Sequence, residues 1–486
     1  MAIEDLFHPF KTVYRSSPAW FKRSIGQIYA LLPMRVRYGK LLAQARRQLD
    51  SSQWWSPEQH KQYQWQQMKA LLQHAYEHVP YYRRLLDEGG VHPDRVRSIE
   101  DWQRLPLLDK ELIRAHKEEM VATNMQHRRL PFNTGGSTGR PLEFYWERGR
   151  TRTLERAFMW RQWSWAGFDF GQRTAVIRGQ TVREGLWHYD PIDKHLFVSA
   201  YNLSDAATRR VIGKLRHYKP VSIQAYPSTL TLLATWMKHH NEPPIEGVRV
   251  LLCGSENLYP AQKSLFAEVF DARVYSWYGH AESCCLAGYC ERSDLYHTYS
   301  EYSFVELVDD AGRVVPWEPG MRGEIVGTSF LNNTMPFIRY RTGDIATVGP
   351  QSCSCGRNYP LIAKIEGRKQ EYVITADGRA ITLTGLIFGQ HWHAFAKMRQ
   401  VQLVQDQPGR ITVRLVRTEQ FHSSDEQEIR DKIAGCVGSG LDIDFDYVDY
   451  IEPTERGKHV FVKQSLPLPS AFAGDVGSAD GQLVRE

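Results

Sequence analysis

The chain has no long apolar run, no block of one charge sign and no paired cysteine knuckles. No apolar stretch approaches the ~20 residues of a membrane-spanning helix, which argues against a helical membrane protein. The opening Met1-Ala2-Ile3-Glu4-Asp5 lacks the basic and apolar regions of a secretory signal. Cysteine is scarce, at seven in 486 residues. An odd number at irregular spacing speaks against a disulfide framework and for a reducing cytosol, so a cytoplasmic protein is expected. Lys and Arg (61) barely exceed Asp and Glu (55), giving a net charge of +6. That excess is not gathered into a basic stretch, so no nucleic-acid partner is implied, although it suits an anionic ligand. Oligomeric state is not readable.

What is present is the composition of an ordinary globular protein, 42% hydrophobic and 24% charged. The length predicts roughly two to four folding units. Trp20–Leu32 places aromatic and basic residues at helical spacing. Such a segment either lies on an anionic membrane as a peripheral contact or packs on its own domain. Residues 56–88 read as a helix running into Val79-Pro80, and Asp109 reads as the N-cap of another helix after Leu105-Pro106-Leu107-Leu108.

The stretch Phe132-Asn-Thr-Gly-Gly-Ser-Thr-Gly-Arg-Pro-Leu142 concentrates glycine and hydroxyl residues. Glycine lets a ligand approach bare main chain, and successive backbone N–H groups make a concave anion site. A phosphate chain is the natural guest, and a polar surface turn is the alternative. Beyond it, strands and helices alternate: strands at Ala175–Ile177, Ser222–Tyr226, Val248–Cys253 and Ala272–Gly279, and helices at 151–166, 204–219, 229–240 and 260–270. This rhythm predicts a parallel sheet with crossover helices. Ligands gather at the carboxyl ends of such strands. Those ends are Tyr226-Pro-Ser, Gly254-Ser255-Glu256 and Tyr278-Gly279-His280-Ala281-Glu282.

From Ser303 to Ile345 apolar and polar residues alternate, which predicts an antiparallel lobe closing on Arg339-Tyr-Arg-Thr-Gly-Asp344. After Gly367-Arg368 a small α+β domain is expected, with a helix near 424–436 and strands to Val462. Residues 467–486 are rich in Pro, Gly, Ala, Ser and Asp and read as a disordered tail.

Five of these segments stand in an order and spacing that resembles the adenylate-forming enzymes: Phe132–Leu142, Tyr278–Glu282, Tyr340–Asp344, Gly367-Arg368 and Gly457-Lys458. Each is weak alone; five in order are specific. Within that superfamily the chain looks most like the phenylacetate–CoA ligase branch and its capsular-polysaccharide-associated, CapK-like relatives, over most of residues 70–465. The resemblance implies an α/β fold: a large multi-sheet N-terminal domain (1–366) with parallel α/β layers and an antiparallel lobe, and a small mobile α+β C-terminal domain (367–466).

The resemblance also implies a reaction and roles. ATP adenylates a carboxylic acid, and the acyl group passes to a thiol, most simply that of CoA. An amine or hydroxyl acceptor on a saccharide precursor, or a non-catalytic nucleotide-binding member, are the alternatives. Thr134, Gly135, Gly136, Ser137, Thr138 and Gly139 would close over the ATP phosphates. Tyr278 and Gly279, with Gly254, Ser255 and Glu256, would line the adenine side. Glu282 would hold Mg²⁺, Asp344 would accept from the ribose hydroxyls, and Arg368 would contact the nucleotide at a hinge. Lys458 would meet the carboxylate and α-phosphate, since two anions need a metal and a lysine to approach each other. Read singly, Asp344 is equally a turn acid, Glu282 a helix-start carboxylate and Lys458 an exposed turn lysine.

Three departures stand out: Leu142 replaces a lysine common in relatives, Gln370 replaces a hinge carboxylate (Glu371 follows), and Ile381–Gly385 matches the CoA-ligase pattern only loosely. Arg140 is a candidate for the missing phosphate-loop charge.

Cys290, His297, Cys353 and Cys355 make a Cys₃His set, which suits a closed structural zinc site; some relatives in the branch share the arrangement. Four reduced, unligated side chains are the alternative. Cys284 and Cys285 read as small packing residues, a reactive thiol being the other reading.

Overall fold

The computed structural model describes residues 32, 34–134, 142–169, 171–178, 185–200, 203, 205–366, 372–382, 386, 394, 397–452, 462–464 and 466. The chain folds into two compact units. The first comprises Met1–Thr134, Leu142–Phe170 and Tyr275–Gly367; the second comprises Gly135–Pro141, Gly171–Val274 and Arg368–Glu486.

The first unit opens with helices α1 (Met34–Ser52), α2 (Pro57–His78), α3 (Pro80–Glu88), α4 (Ile99–Gln103) and α5 (Lys110–His116). Ser56 caps α2: its side chain accepts from the Gln59 N–H, while the Gln59 side chain accepts from the Ser56 N–H. The single helix expected over 56–88 is two. Pro80 has no N–H to donate back, and extended Val79 ends α2 as Pro80 starts α3. Asp109 caps α5 as expected, accepting from the Leu112 N–H at 2.8 Å. The hairpin strands β1 (Arg129–Asn133) and β2 (Glu143–Glu147) lead into α6 (Thr151–Trp165).

The chain then builds the α/β part of the second unit: β3 (Thr174–Ile177), β4 (Trp187–Asp190), β5 (His195–Val198), α7 (Asp205–Tyr218), β6 (Ser222–Ala225), α8 (Pro227–His239), β7 (Val250–Gly254) and α9 (Pro260–Phe270). Strand order is β7-β6-β3-β5-β4, parallel except for β4. Every residue of β3, β6 and β7 is buried, as when helices cover both faces. The pair β4–β5 was not expected. Its strands are only four residues each, and β4 shows no alternation in burial.

Strand β8 (Arg273–Gly279) carries the chain back to the first unit. There follow β9 (Leu286–Gly288), β10 (Tyr296–Thr298), β11 (Ser303–Val308), β12 (Val314–Val315), β13 (Arg322–Ser329), β14 (Tyr340–Val348) and β15 (Leu361–Glu366). Their order is β12-β11-β13-β14-β15-β10-β9-β8 and the pairings are antiparallel, the lobe the alternation predicted. Gly327 of β13 is obligatory, because a Cβ there would stand 2.0 Å from the Cys284 carbonyl oxygen. The core of this unit joins the helices to the lobe through Leu42, Trp102, Phe144, Tyr302 and Tyr340.

The remaining strands belong to the second unit: the hairpin β16 (Tyr372–Ile374) and β17 (Ala380–Thr382), then β18 (Met398–Gln407), β19 (Arg410–Arg417), helix α10 (Ser423–Val437), β20 (Asp442–Tyr447) and β21 (Val462–Gln464). The order β20-β19-β18-β21 is mixed, and its own core gathers Val401, Leu403, Val413, Ile429 and Ile433. This is the small α+β element expected after Gly367. Among the described residues no helix is long and apolar enough to cross a membrane. Residues 20–31 of the amphipathic segment and the tail 467–486 lie outside the described residues.

Candidate functional site

In the first unit the expected site residues sit on β8, the turn after it and β14. Tyr278 and Gly279 end β8. Gly279 is tightly packed, since an added Cβ would come within 2.9 Å of Leu286. The chain then turns: the Ser283 N–H donates to the His280 carbonyl at 3.1 Å, and Ser283 takes a left-handed φ of 56°. A serine in that region is strained, and such strain is common where a chain must aim a functional side chain. The turn is held from β2, where the Trp146 indole N–H donates to the Ala281 carbonyl at 2.9 Å.

Asp344 comes from β14. The β13–β14 register slips between Glu324 and Val326, so that Thr342–Asp344 bulge from the ladder. Gly343 provides the left-handed φ of 80°. The bulge is pinned on each side: Thr342 Oγ1 donates to the Ile325 carbonyl at 2.9 Å and accepts from the Asp344 N–H at 3.2 Å, and the Gly343 N–H donates to Glu324 at 3.0 Å. Asp344 is therefore a strand-borne carboxylate, not a free turn acid.

Two tyrosines tie these acids into one cluster. The Tyr278 hydroxyl donates to Asp344 Oδ2 at 2.8 Å, and the Tyr340 hydroxyl donates to Glu282 Oε1 at 2.7 Å. The His280 ring packs against both tyrosines, at 5.9 and 6.3 Å between centroids. His280 Nδ1 lies 3.2 Å from Glu282 Oε2, although neither ring nitrogen makes an aligned hydrogen bond. Glu282 is 7% exposed. Burial pushes its acid up, but His280, Lys110 and the Tyr340 hydroxyl outweigh that and hold it near 2. It is a carboxylate at neutral pH, a hard anionic oxygen donor of the kind Mg²⁺ takes. Burial and the Asp344 charge push the Tyr278 phenol well above its usual range, so it remains a donor. Sequence reasoning assigned no role to Tyr340 or Lys110, and read His280 only as a hint, with Trp277 and Tyr226, of an aromatic-lined pocket for the acid. Tyr340 and His280 lay inside the quoted motifs, whereas Lys110 left no signal because it arrives from α5.

Thr134 and Leu142 flank the glycine loop and bond each other twice, at 2.9 Å each: Thr134 N–H to Leu142 carbonyl, and Leu142 N–H to Thr134 Oγ1. Leu142 is fully buried, which is why an apolar residue suits a position that carries lysine in relatives. In the second unit Gly254 ends β7 and Ser255 has φ 68°. The Glu256 charge helps to push up the Tyr372 phenol there, burial being the larger cause. Gly135, Gly136, Ser137, Thr138, Gly139, Arg368 and Lys458 lie outside the described residues, as do Arg140, Gln370 and Glu371.

The Cys₃His set does converge. The ligand atoms of Cys290, His297, Cys353 and Cys355 all lie within 4.8 Å of one another. Cys290 Sγ is 3.7 Å from Cys353 Sγ, and Cys355 Sγ is 3.3 Å from His297 Nε2. The other ring nitrogen, Nδ1, lies 3.0 Å from the Leu295 carbonyl, which directs Nε2 to the cluster. None of the four is in a disulfide. Trp165 packs edge-on to His297 and stacks with Arg357 at 4.2 Å. Two pairs of ligands far apart in sequence, with soft sulfur donors, fit a tetrahedral zinc ion. Cys284 and Cys285 are fully buried, and burial pushes both thiols up, as packing residues require.

Residues 373–465 match the CapK C-terminal domain family. The chain is 26% identical to a phenylacetate-coenzyme A ligase of Thermus thermophilus over 315 residues, 64% of this chain and 70% of that protein. It is 18% identical to Protein CapK of Staphylococcus aureus over 462 residues, 93% of this chain and 99% of that one. Among solved structures it is similar to 2-hydroxyisobutyryl-CoA ligase in complex with 2-HIB-AMP and CoA in the thioesterification state. The TM-score is 0.58 at 20% identity, covering 90% of this chain and 94% of that one, which supports a shared fold. Taken together, the matches bear out a likeness to the adenylate-forming enzymes of the branch that holds the phenylacetate–CoA ligases and their CapK-like relatives.

Proposed function

We propose that the chain is an acid–thiol ligase: it converts a carboxylic acid and ATP to an acyl-adenylate and pyrophosphate, then passes the acyl group to CoA with release of AMP. The observation that carries this reading is the linkage of Glu282, Tyr340, Tyr278 and Asp344 in one cluster. Asp344 offers its free oxygen to the ribose hydroxyls while Tyr278 holds the other. Glu282, kept ionised, would hold Mg²⁺, which would supply the charge that lets the two anions meet. Thr134 to Gly139 cover the phosphates, and Gly254, Ser255 and Glu256 keep the adenine-side role that the family resemblance gives them.

In this reading residues 1–366 bind nucleotide and acid. Residues 367–466 are a mobile domain with Arg368 at its hinge and Lys458 as the cation that meets the α-phosphate. A separate core within residues 373–462 supports such a module. The Cys290, His297, Cys353 and Cys355 cluster holds a structural zinc ion that staples β10 to the loop before β15. With four protein ligands it leaves no position for a reacting water.

Pyrophosphate exchange into ATP, driven by a panel of acids, tests the first half-reaction, and thioester formation with added CoA tests the second. Exchange with no acid overturns the enzyme reading. Lys458→Ala should abolish exchange while ATP still binds, because its contact belongs to the transition state. A second reading, transfer to an amine or hydroxyl of a saccharide precursor, is favoured by one observation. Residues 373–465 match the CapK domain, whereas the sequence match to the Thermus thermophilus phenylacetate-coenzyme A ligase spans 64% of the chain. Acyl-adenylate that accumulates in the presence of CoA supports that reading.

A further inference from the structure

Beside the Glu282 turn lies an acidic group that the adenylation chemistry does not use. Glu155, on the first turns of α6, accepts a hydrogen bond from the Tyr302 hydroxyl at 2.5 Å through Oε2. Its other oxygen makes no hydrogen bond among the described residues. Tyr302 is fully buried and held edge-on by Phe158, one helical turn from Glu155, at 5.0 Å. Ser283, next to Glu282, stands close enough to favour the ionised Glu155 carboxylate, and His280 acts on it by charge. Burial still dominates and brings the Glu155 acid up to about 7. Ser283 is 1% exposed and its hydroxyl has no partner. Gln162, two turns along α6, is 3% exposed with its amide oxygen also unpartnered. Glu155 as a whole residue is part-buried.

Glu155 and the Ser283 hydroxyl thus sit together beside the His280–Glu282 turn with hydrogen-bonding capacity left over. Buried polar atoms left unpaired are costly, and they are completed by ordered water or by a bound ligand. We propose that Glu155, seated on Tyr302 and beside Ser283, is a specificity-determining residue that binds a hydroxyl or ammonium group on the carbon skeleton of the acid. The inference rests on the adenylation reading, which places the acid's carboxylate on the Glu282 side of the turn. It adds the substrate class: an acid bearing a hydrogen-bond donor remote from its carboxylate, in place of a plain hydrocarbon acid. A site built to pair a donor discriminates strongly against the analogue that lacks it.

The test is pyrophosphate exchange with matched acids: phenylacetate against 4-hydroxyphenylacetate, butyrate against 3-hydroxybutyrate, and propionate against β-alanine. In at least one pair the wild-type chain should prefer the donor-bearing acid by roughly tenfold or more in kcat/KM. Glu155→Leu should abolish or invert that preference, and Glu155→Gln, which still accepts a hydrogen bond, should keep part of it. Should Glu155→Leu not fold, Tyr302→Phe keeps the ring and removes only the hydroxyl that fixes the carboxylate; it should weaken the same preference. No wild-type preference in any pair, or a preference unmoved in the variants, overturns the assignment while adenylation stands. No exchange with any of the six acids overturns the adenylation reading itself, and this inference with it.

Discussion

The Tyr278 hydroxyl donates to Asp344 across 2.8 Å, joining the end of β8 to the bulge of β14. One carboxylate oxygen is thereby taken by a protein donor and the other is left for a ligand. Asp344→Asn keeps the shape but replaces an anionic acceptor with an amide. It should raise the KM for ATP about tenfold or more, as expected for a charge-assisted hydrogen bond. Tyr278→Phe frees the second oxygen without removing the acceptor, so its effect on KM should be several-fold smaller. Steady-state kinetics on both variants check the order, and equal effects would show that Tyr278 has a larger part than orienting Asp344.

Arg339 precedes the Tyr340–Asp344 motif in a left-handed conformation, φ 52°, and is 2% exposed. Its guanidinium makes two hydrogen bonds to Glu306, at 3.1 and 3.2 Å, and donates to the carbonyls of Gln103 and Leu105. Burial pushes the Glu306 acid up and Arg339 opposes it. Arg339→Met leaves a buried carboxylate unpaired, which typically costs about 3–5 kcal/mol. Adding Glu306→Gln should recover a large part of that loss. Urea unfolding of the two single variants and the double variant measures the coupling, and additive losses would rule it out.

Purified protein should carry close to one zinc per chain, read by elemental analysis. Removing it with a strong chelator, or by Cys353→Ser, should lower the melting temperature markedly, because metal binding adds directly to folding free energy. Adenylation should fall only as far as folding does. A loss of exchange at a temperature where the apoprotein remains folded would assign the metal a catalytic part instead.

His60 is 3% exposed between the Trp55 and Tyr359 rings, with both ring nitrogens unpartnered. Burial brings its pKa from 6.5 down to about 4. The folded state then binds fewer protons than the unfolded state between those values. The His60 contribution is fully present above pH 6.5 and is lost as pH falls toward 4. Between pH 7 and pH 5 the loss should be on the order of 2 kcal/mol. Unfolding curves at pH 7 and pH 5 should draw together in His60→Leu relative to wild type, after the common carboxylate slope is subtracted.

Much of the molecule was legible because its signals are local. The strands Ser303–Val308 and Arg322–Ser329 were legible as strands from their residue pattern, although both are buried on both faces over much of their length, and Asp109 announced a helix start through its side chain. The parallel strands β3, β6 and β7 were readable as short apolar runs between helices. The grouping of Cys290, His297, Cys353 and Cys355 was legible as chemistry, because three soft sulfurs and an imidazole form a matched ligand set, and the structure does bring the four together. Pro80 also carried its own signal, a missing N–H, although the spacing of apolar residues alone continued the helix through it.

What the tertiary structure decided is which groups face one another. That the Tyr340 hydroxyl serves Glu282, 58 positions away, depends on β14 and the turn after β8 meeting in space, and no periodicity encodes that. Leu142 became a core residue only because the β1–β2 hairpin turns that position inward. Glu155 reads in the sequence as one more polar residue on an amphipathic helix. It acquires a chemical identity when Tyr302, Ser283 and His280 close around it, because desolvation and hydrogen bonding depend on distance and not on order along the chain.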